Sequence, residues 1–162
     1  MSSILVVYHS LTGGTLAMAR AAAAGAAAEP VRISLQSARD TRAEDVLDAD
    51  GYIFASPENL AAMAGMMKDF FDRTYYACLD KLNGRPYATL ICAGSDGQSA
   101  ARQIERIALG WRLRAIAETY IVCTHARSPE RIAAPKSIEP EHLERCSEIG
   151  RTLAAGLALG IY

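Results

Sequence analysis

The chain has 162 residues and a mass of 17.4 kDa, 51% hydrophobic and 22% charged, which excludes a disordered or fibrous chain and suits one domain, residues 1–162, with a sizeable core. A formal net charge of -1 and a pI near 6.3 give no electrostatic basis for nucleic acid or an anionic membrane as partner. No apolar run approaches the roughly 20 residues of a spanning helix, and the strand-like ILVVY begins at residue 4 without a basic start before it, so the expected location is the cytoplasm.

Apolar runs alternate with helical patterns throughout. SILVVY (3–8) is short and β-branched, as a buried strand should be. Residues 14–26 are alanine-rich and helix-forming, with side chains small enough for close packing. VRISL (31–35) reads as a second strand, and TRAEDVLDAD (41–50) as a helix with Thr41 and Glu44 at capping-box spacing. GYIFAS (51–56) is the third strand. The strongest helical period spans about 60–79, where Leu60, Met63, Met67, Phe70, Phe71, Thr74 and Cys78 share one face. Asn83-Gly84 marks a turn before the fourth strand, PYATLICAG (86–94). A helix over 97–110 turns Ala100, Ile104 and Ala108 inward, and Trp111 follows as core. ETYIVCTH (118–125) is the fifth strand, and the last helix carries Leu143, Cys146, Gly150, Leu153 and Leu157 in one stripe.

Five strands, each followed by a helix, imply an α/β three-layer sandwich around a five-stranded parallel sheet. Right-handed crossovers with one reversal of winding give the order 2-1-3-4-5. Ligands in such a sheet bind beyond the carboxyl ends of the strands, at the reversal. Three loops meet there: 9–15, 56–60 and 94–98.

The first loop, HSLTGGT, leads from strand to helix, so unpaired N–H groups and the positive end of a helix dipole face the turn. Ser10, Thr12 and Thr15 add hydroxyls around Leu11, while Gly13 and Gly14 allow close approach and positive φ. The lysine of a nucleoside-triphosphate loop is absent, so one phosphate monoester held without metal fits best. The plain alternative is a capped, glycine-rich turn with no ligand. Neither GxGxxG nor a cysteine inside the loop is present, which removes dinucleotide and small-phosphatase readings. Aspartates for a phosphoacceptor are also missing from the ends of strands one and three. Cys78, Cys92, Cys123 and Cys146 stand far apart and read as core residues rather than a metal or disulfide set.

After the third strand the chain reads ASPENLAAMAGMMKDFFDR. Its [ST]-P-x-x turn, the pattern carried by Gly65, Met67, Lys68, Phe70, Asp72 and Arg73, and the glycine-bearing AGSDGQ after the fourth strand complete an ordered trio with the first loop. The trio resembles the flavodoxin-like NAD(P)H-dependent FMN reductases and quinone reductases. That resemblance implies FMN as cofactor and NAD(P)H as co-substrate. By position it assigns Ser10, Leu11, Thr12, Gly13, Gly14 and Thr15 to the phosphate. Ser56, Pro57, Glu58, Asn59 and Leu60 would border the ring near N5, and Ala93, Gly94, Ser95, Asp96, Gly97 and Gln98 its pyrimidine edge. No catalytic side chain is required, because the chemistry lies at the flavin. A small-molecule electron acceptor and a homodimer also follow from the resemblance.

Flavodoxin electron carriers share the phosphate loop but enclose the flavin between aromatic rings and have acidic surfaces. Neither Pro57–Leu60 nor Gly94–Gly97 supplies an aromatic, and the charge is nearly balanced, which favours the reductase over the carrier. A rival from another class reads Ser95 as a nucleophile and His125 as its base. A flavin-free binding module is the remaining alternative. His9 is a candidate phosphate donor or a histidine satisfied at a strand end, Met66 and Tyr76 are candidates for an interface, and Arg102, Arg106, Arg112 and Arg114 read as a solvated face.

Overall fold

The computed structural model describes residues 1–162. Its strands in chain order are β1 (Ser3–Tyr8), β2 (Arg32–Ser37), β3 (Gly51–Asn59), β4 (Ala62–Met63), β5 (Pro86–Ala93), β6 (Arg114–Ala115) and β7 (Tyr120–Cys123). The helices are α1 (Gly14–Ala26), α2 (Ala43–Asp48), α3 (Gly65–Cys78), α4 (Gln98–Gly110), α5 (Pro129–Ala133) and α6 (Pro140–Ala158). The main path of the sheet runs β2-β1-β3-β5, every pair parallel, and both β6 and β7 line the outer edge of β5. Taken together, those two short strands occupy the fifth position, so the order is the expected 2-1-3-4-5.

Alternation along each strand builds two cores. Ile4 and Val6 of β1 turn toward α1 and α6 with Met18, Ile53, Leu90 and Leu153. Leu5 and Val7 turn the other way, toward Phe54, Phe70, Phe71 and Trp111. The alanine-rich sequence of α1 acquires its purpose against α6. A Cβ on Gly25 would collide with the Ser147 carbonyl, and one on Gly150 with the Ala22 carbonyl. Glycine at both positions lets the two backbones meet directly.

Four local readings need correction. The third strand does not end at residue 56; β3 continues to Asn59 and folds back through Leu60 and Ala61, at φ 51° and 60°, into β4. The helix therefore starts at Gly65. Leu60 is fully exposed at the hairpin tip, and Met63 is buried from β4 rather than from the helix. The apolar spacing misleads here because the hairpin returns Met63 to the core at a helix-like interval. Thr41 is not a cap. It is buried with its hydroxyl donating to the Ser37 carbonyl at 2.7 Å, and the Asp45 carboxylate, not Glu44, accepts from the Arg42 N–H at 2.8 Å. The fifth strand, expected over 118–125, covers only Tyr120–Cys123, and the two-residue β6 precedes it as a separate piece. Finally, the loop between β7 and α6 contains the short α5, opened by Ser128, whose side chain accepts from the Arg131 N–H at 3.2 Å.

Arg73 explains the end of the family-like helix pattern. Its guanidinium donates to the carbonyls of Thr41 at 2.9 Å and Ala38 at 2.7 Å and pairs with Asp69. It thereby staples α3 to the segment after β2, and Lys68 pairs with Asp72 alongside it on the same helix. These residues fix the helix, and the helix carries the hairpin.

Two buried acids set an alkaline limit. Burial pushes the Cys146 thiol from 9.0 up to about 12. Burial likewise pushes Tyr52 from 10.0 up to about 12, partly offset by Arg85, while its hydroxyl donates to the Val46 carbonyl at 2.7 Å. Both groups lose a proton more readily in the unfolded chain. Their stabilisation is complete below the unfolded-state pKa values and is lost as pH rises toward 12. Urea unfolding midpoints are expected to fall from about pH 8.5 to about pH 10.5, and the thiol alone accounts for about 2 kcal/mol of that loss. In Cys146→Ala the pH slope should be visibly flatter. An unchanged slope would mean that the thiol ionises in the folded protein as it does in the unfolded one.

Candidate functional site

Winding reverses between β1 and β3, and a cavity of about 430 Å³ opens beyond their carboxyl ends, within the roughly 300–1,000 Å³ common for small ligands. Four segments wall it. The first is the hydroxyl loop. Gly13, at φ 96°, turns the chain into α1, and its N–H donates to Ser10 Oγ at 3.1 Å. Ser10 Oγ thus serves as acceptor within the loop and keeps its own proton for a ligand. The first N–H groups of α1 have no intrahelical acceptor and face the same space, with the helix dipole behind them. Gly14 is packed so closely that a Cβ would lie 2.8 Å from Cys92 Sγ.

The second wall is the β3–β4 hairpin from Pro57 to Ala61. Glu58 does not project free into the cavity. Its Oε1 accepts from the Gly97 N–H at 2.9 Å and its Oε2 from the Ala100 N–H at 3.1 Å, so this carboxylate caps α4. Ser56 is buried behind the hairpin, where its hydroxyl oxygen accepts from the Ala64 N–H at 3.0 Å.

The third wall runs from Cys92 to Ser95. Beyond it Gly97, at φ 88°, starts α4 with no room for a Cβ, which would lie 2.6 Å from Ile121 Cγ2. The fourth wall, formed by Thr124, Ala126, Ile132 and Lys136, was not anticipated from the sequence. It is tied to the others by backbone bonds: Thr124 and His125 donate to the carbonyls of Ala93 and Gly94, each at 2.8 Å, and Lys136 donates to the Thr12 carbonyl at 2.8 Å.

The structure brings Ser10, Leu11, Thr12, Gly14, Thr15, Pro57, Glu58, Asn59, Leu60, Ala93, Gly94 and Ser95 together around the cavity. Gly13, Ser56, Asp96, Gly97 and Gln98 stand outside the wall. Of these, Gly13, Ser56 and Gly97 shape the loops, and the Asp96 carboxylate accepts from the Gln98 N–H at 3.4 Å. Ala61, Cys92, Thr124, Ala126, Ile132 and Lys136 complete the lining. No lining residue is aromatic.

His9 is outside the wall too; its N–H donates to the Ala55 carbonyl at 3.1 Å, and burial lowers the pKa of its ring. Ser95 and His125 form no hydrogen bond with each other, and His125 is exposed at φ 57° with no carboxylate paired to it. The geometry of a serine hydrolase is therefore not present. No cluster of His, Cys, Asp and Glu is placed to hold a metal ion, and no helix is long and apolar enough to cross a membrane.

Residues 36–126 match the family of NADPH-dependent FMN reductases. The chain belongs to that family. Among curated relatives of this FMN reductase family member, a flavodoxin of Aquifex aeolicus is 27% identical over 98% of the chain and 89% of its own length. An NAD(P)H dehydrogenase (quinone) of Archaeoglobus fulgidus is 34% identical over 46% of the chain and 52% of its own length. The fold is flavodoxin-like. A flavodoxin from the domain Archaea superposes with a TM-score of 0.78 at 20% identity, covering 96% of this chain and 98% of that one. A WrbA-like flavodoxin from Agrobacterium tumefaciens gives 0.73 at 17% identity, covering 99% of each.

Proposed function

We propose that the chain binds FMN noncovalently in this cavity and passes two electrons from NAD(P)H to a quinone, a free flavin or another small acceptor in the cytoplasm. The observation that carries the reading is the hydroxyl-bearing loop at the start of α1, which lines a cavity whose walls contain no aromatic ring. The residues fit the group. Ser10, Thr12 and the amides after Gly13 suit a phosphate monoester. Gly14 and Thr15 line the cavity beside them, and the hairpin and the 93–95 segment are the walls that would hold the ring. When bound, FMN supplies the redox chemistry, accepting hydride from a nicotinamide and passing electrons onward. The protein's part is placement. The hairpin and the 93–95 segment would position the ring, and the absence of aromatic residues from the walls would leave room for the second substrate to stack.

A second reading, the flavodoxin-type carrier, is favoured by the likeness to the Aquifex protein across nearly the whole chain. Against it stand the missing aromatic walls and the net charge of -1. Anaerobic addition of NADPH or NADH to flavin-loaded protein distinguishes the two. The reductase bleaches directly, and a quinone restores its colour with turnover. A protein that is yellow but is reduced only through a separate reductase is the carrier, and one that takes up no FMN has neither activity. Association with a second copy belongs to the same proposal, with the 82% exposed Tyr76 available to it. Sedimentation of the loaded protein tests this, and a monomer at all concentrations removes it.

A further inference from the structure

Charge in the cavity wall is unevenly used. Glu58 is its one acidic residue and Lys136 its one basic residue. The Glu58 carboxylate is spent on the start of α4, with one N–H on each oxygen. Lys136 has no such partner. It is half-buried, forms no ion pair, and donates two of its three ammonium hydrogens to the carbonyls of Ile132 at 2.8 Å and Ala134 at 2.6 Å. One hydrogen and the whole positive charge remain.

The placement of this cation is fixed by backbone. The Lys136 N–H donates to the Thr12 carbonyl, which stitches the fourth wall onto the hydroxyl loop. Its Cβ would lie 3.2 Å from a Cβ on Gly14, so the side chain leaves the backbone beside the anion cradle. Its charge also acts on Cys92, lowering the thiol pKa against the larger opposite effect of burial.

We propose that Lys136 is the counter-cation for the cofactor's phosphate and makes the site select phosphorylated over unphosphorylated flavin. This rests on the FMN reading above and adds to it. A phosphate monoester brings nearly two negative charges at neutral pH. The helix end offers about half a unit of positive charge, and the loop hydroxyls offer none. Lys136 supplies a full unit from the cavity wall itself. The ammonium therefore exchanges carbonyl contacts for an anionic oxygen when the ligand arrives.

The test uses apoprotein titrated with FMN and with riboflavin, followed by flavin fluorescence, at low salt and at about 0.5 M salt. Lys136→Met is expected to weaken FMN about 10- to 100-fold, leave riboflavin unchanged and flatten the salt dependence of FMN binding. Lys136→Arg should retain most of the discrimination. A structural strut would behave differently: Lys136→Met would weaken both flavins equally, and that result overturns the assignment. Unchanged FMN affinity in Lys136→Met overturns it as well, while leaving the cofactor reading intact. Wild-type protein that takes up neither flavin overturns the cofactor reading and this inference with it.

Discussion

Ser10→Ala combined with Thr12→Val is expected to strip the protein of FMN while the far-UV circular dichroism stays unchanged. Both side chains are partly exposed at the cavity mouth, and neither belongs to the two cores. Each hydroxyl donating to an anion contributes about 1.5–3 kcal/mol. Losing both should weaken FMN by roughly 10²- to 10⁴-fold. Ser10 has a second task, because its Oγ accepts from the Gly13 N–H. The alanine variant releases that amide and loosens the turn into α1, which adds to the loss. Equilibrium dialysis reads the effect directly. If the double variant holds FMN as tightly as wild type does, the phosphate does not lie in this loop.

Gly150→Val is expected to produce the largest loss of stability. The added Cβ would run into the carbonyl of Ala22, which is backbone and has no rotamer to escape through. Overpacking of this kind costs about 1–3 kcal/mol, sometimes more, against a gain of under about 1 kcal/mol for removing a helical glycine. The net change should be a drop of about 2 kcal/mol or more in urea unfolding. Because α1 begins at the anion cradle, displacing it should also weaken FMN. Gly65→Ala is the control: its Cβ would meet nothing within 4 Å, so stability should stay within about 0.5 kcal/mol. Equal behaviour of the two variants would show that the α1–α6 crossing yields easily.

The parallel sheet was legible because β-branched runs such as SILVVY and the helices between them leave few topologies. The reversal of winding then points to three of the cavity's walls from the sequence alone. What stayed hidden depended on features without a local signal. A two-residue turn with both residues at positive φ normally advertises itself through Asn-Gly, but here it is built from Leu60 and Ala61. Lys136 comes from far along the chain and reaches the first loop through one backbone hydrogen bond. No spacing rule connects it to Thr12. Glu58 was expected beside the ring, yet the nearby amides of Gly97 and Ala100 claim its carboxylate. Its position in the family-like turn marked it as a site neighbour, and only geometry revealed its partner.

The Glu58 bridge has a mechanical consequence. Hairpin and helix start are clamped by one carboxylate, so neither can swing as an independent flap. A force on the hairpin tip at Leu60 is transmitted to the first turn of α4, and the two flanks travel as one jaw. The opposite side is tied as well, by the backbone bond from the Lys136 N–H to the Thr12 carbonyl, so both flanks of the cleft are braced across loops far apart in the chain.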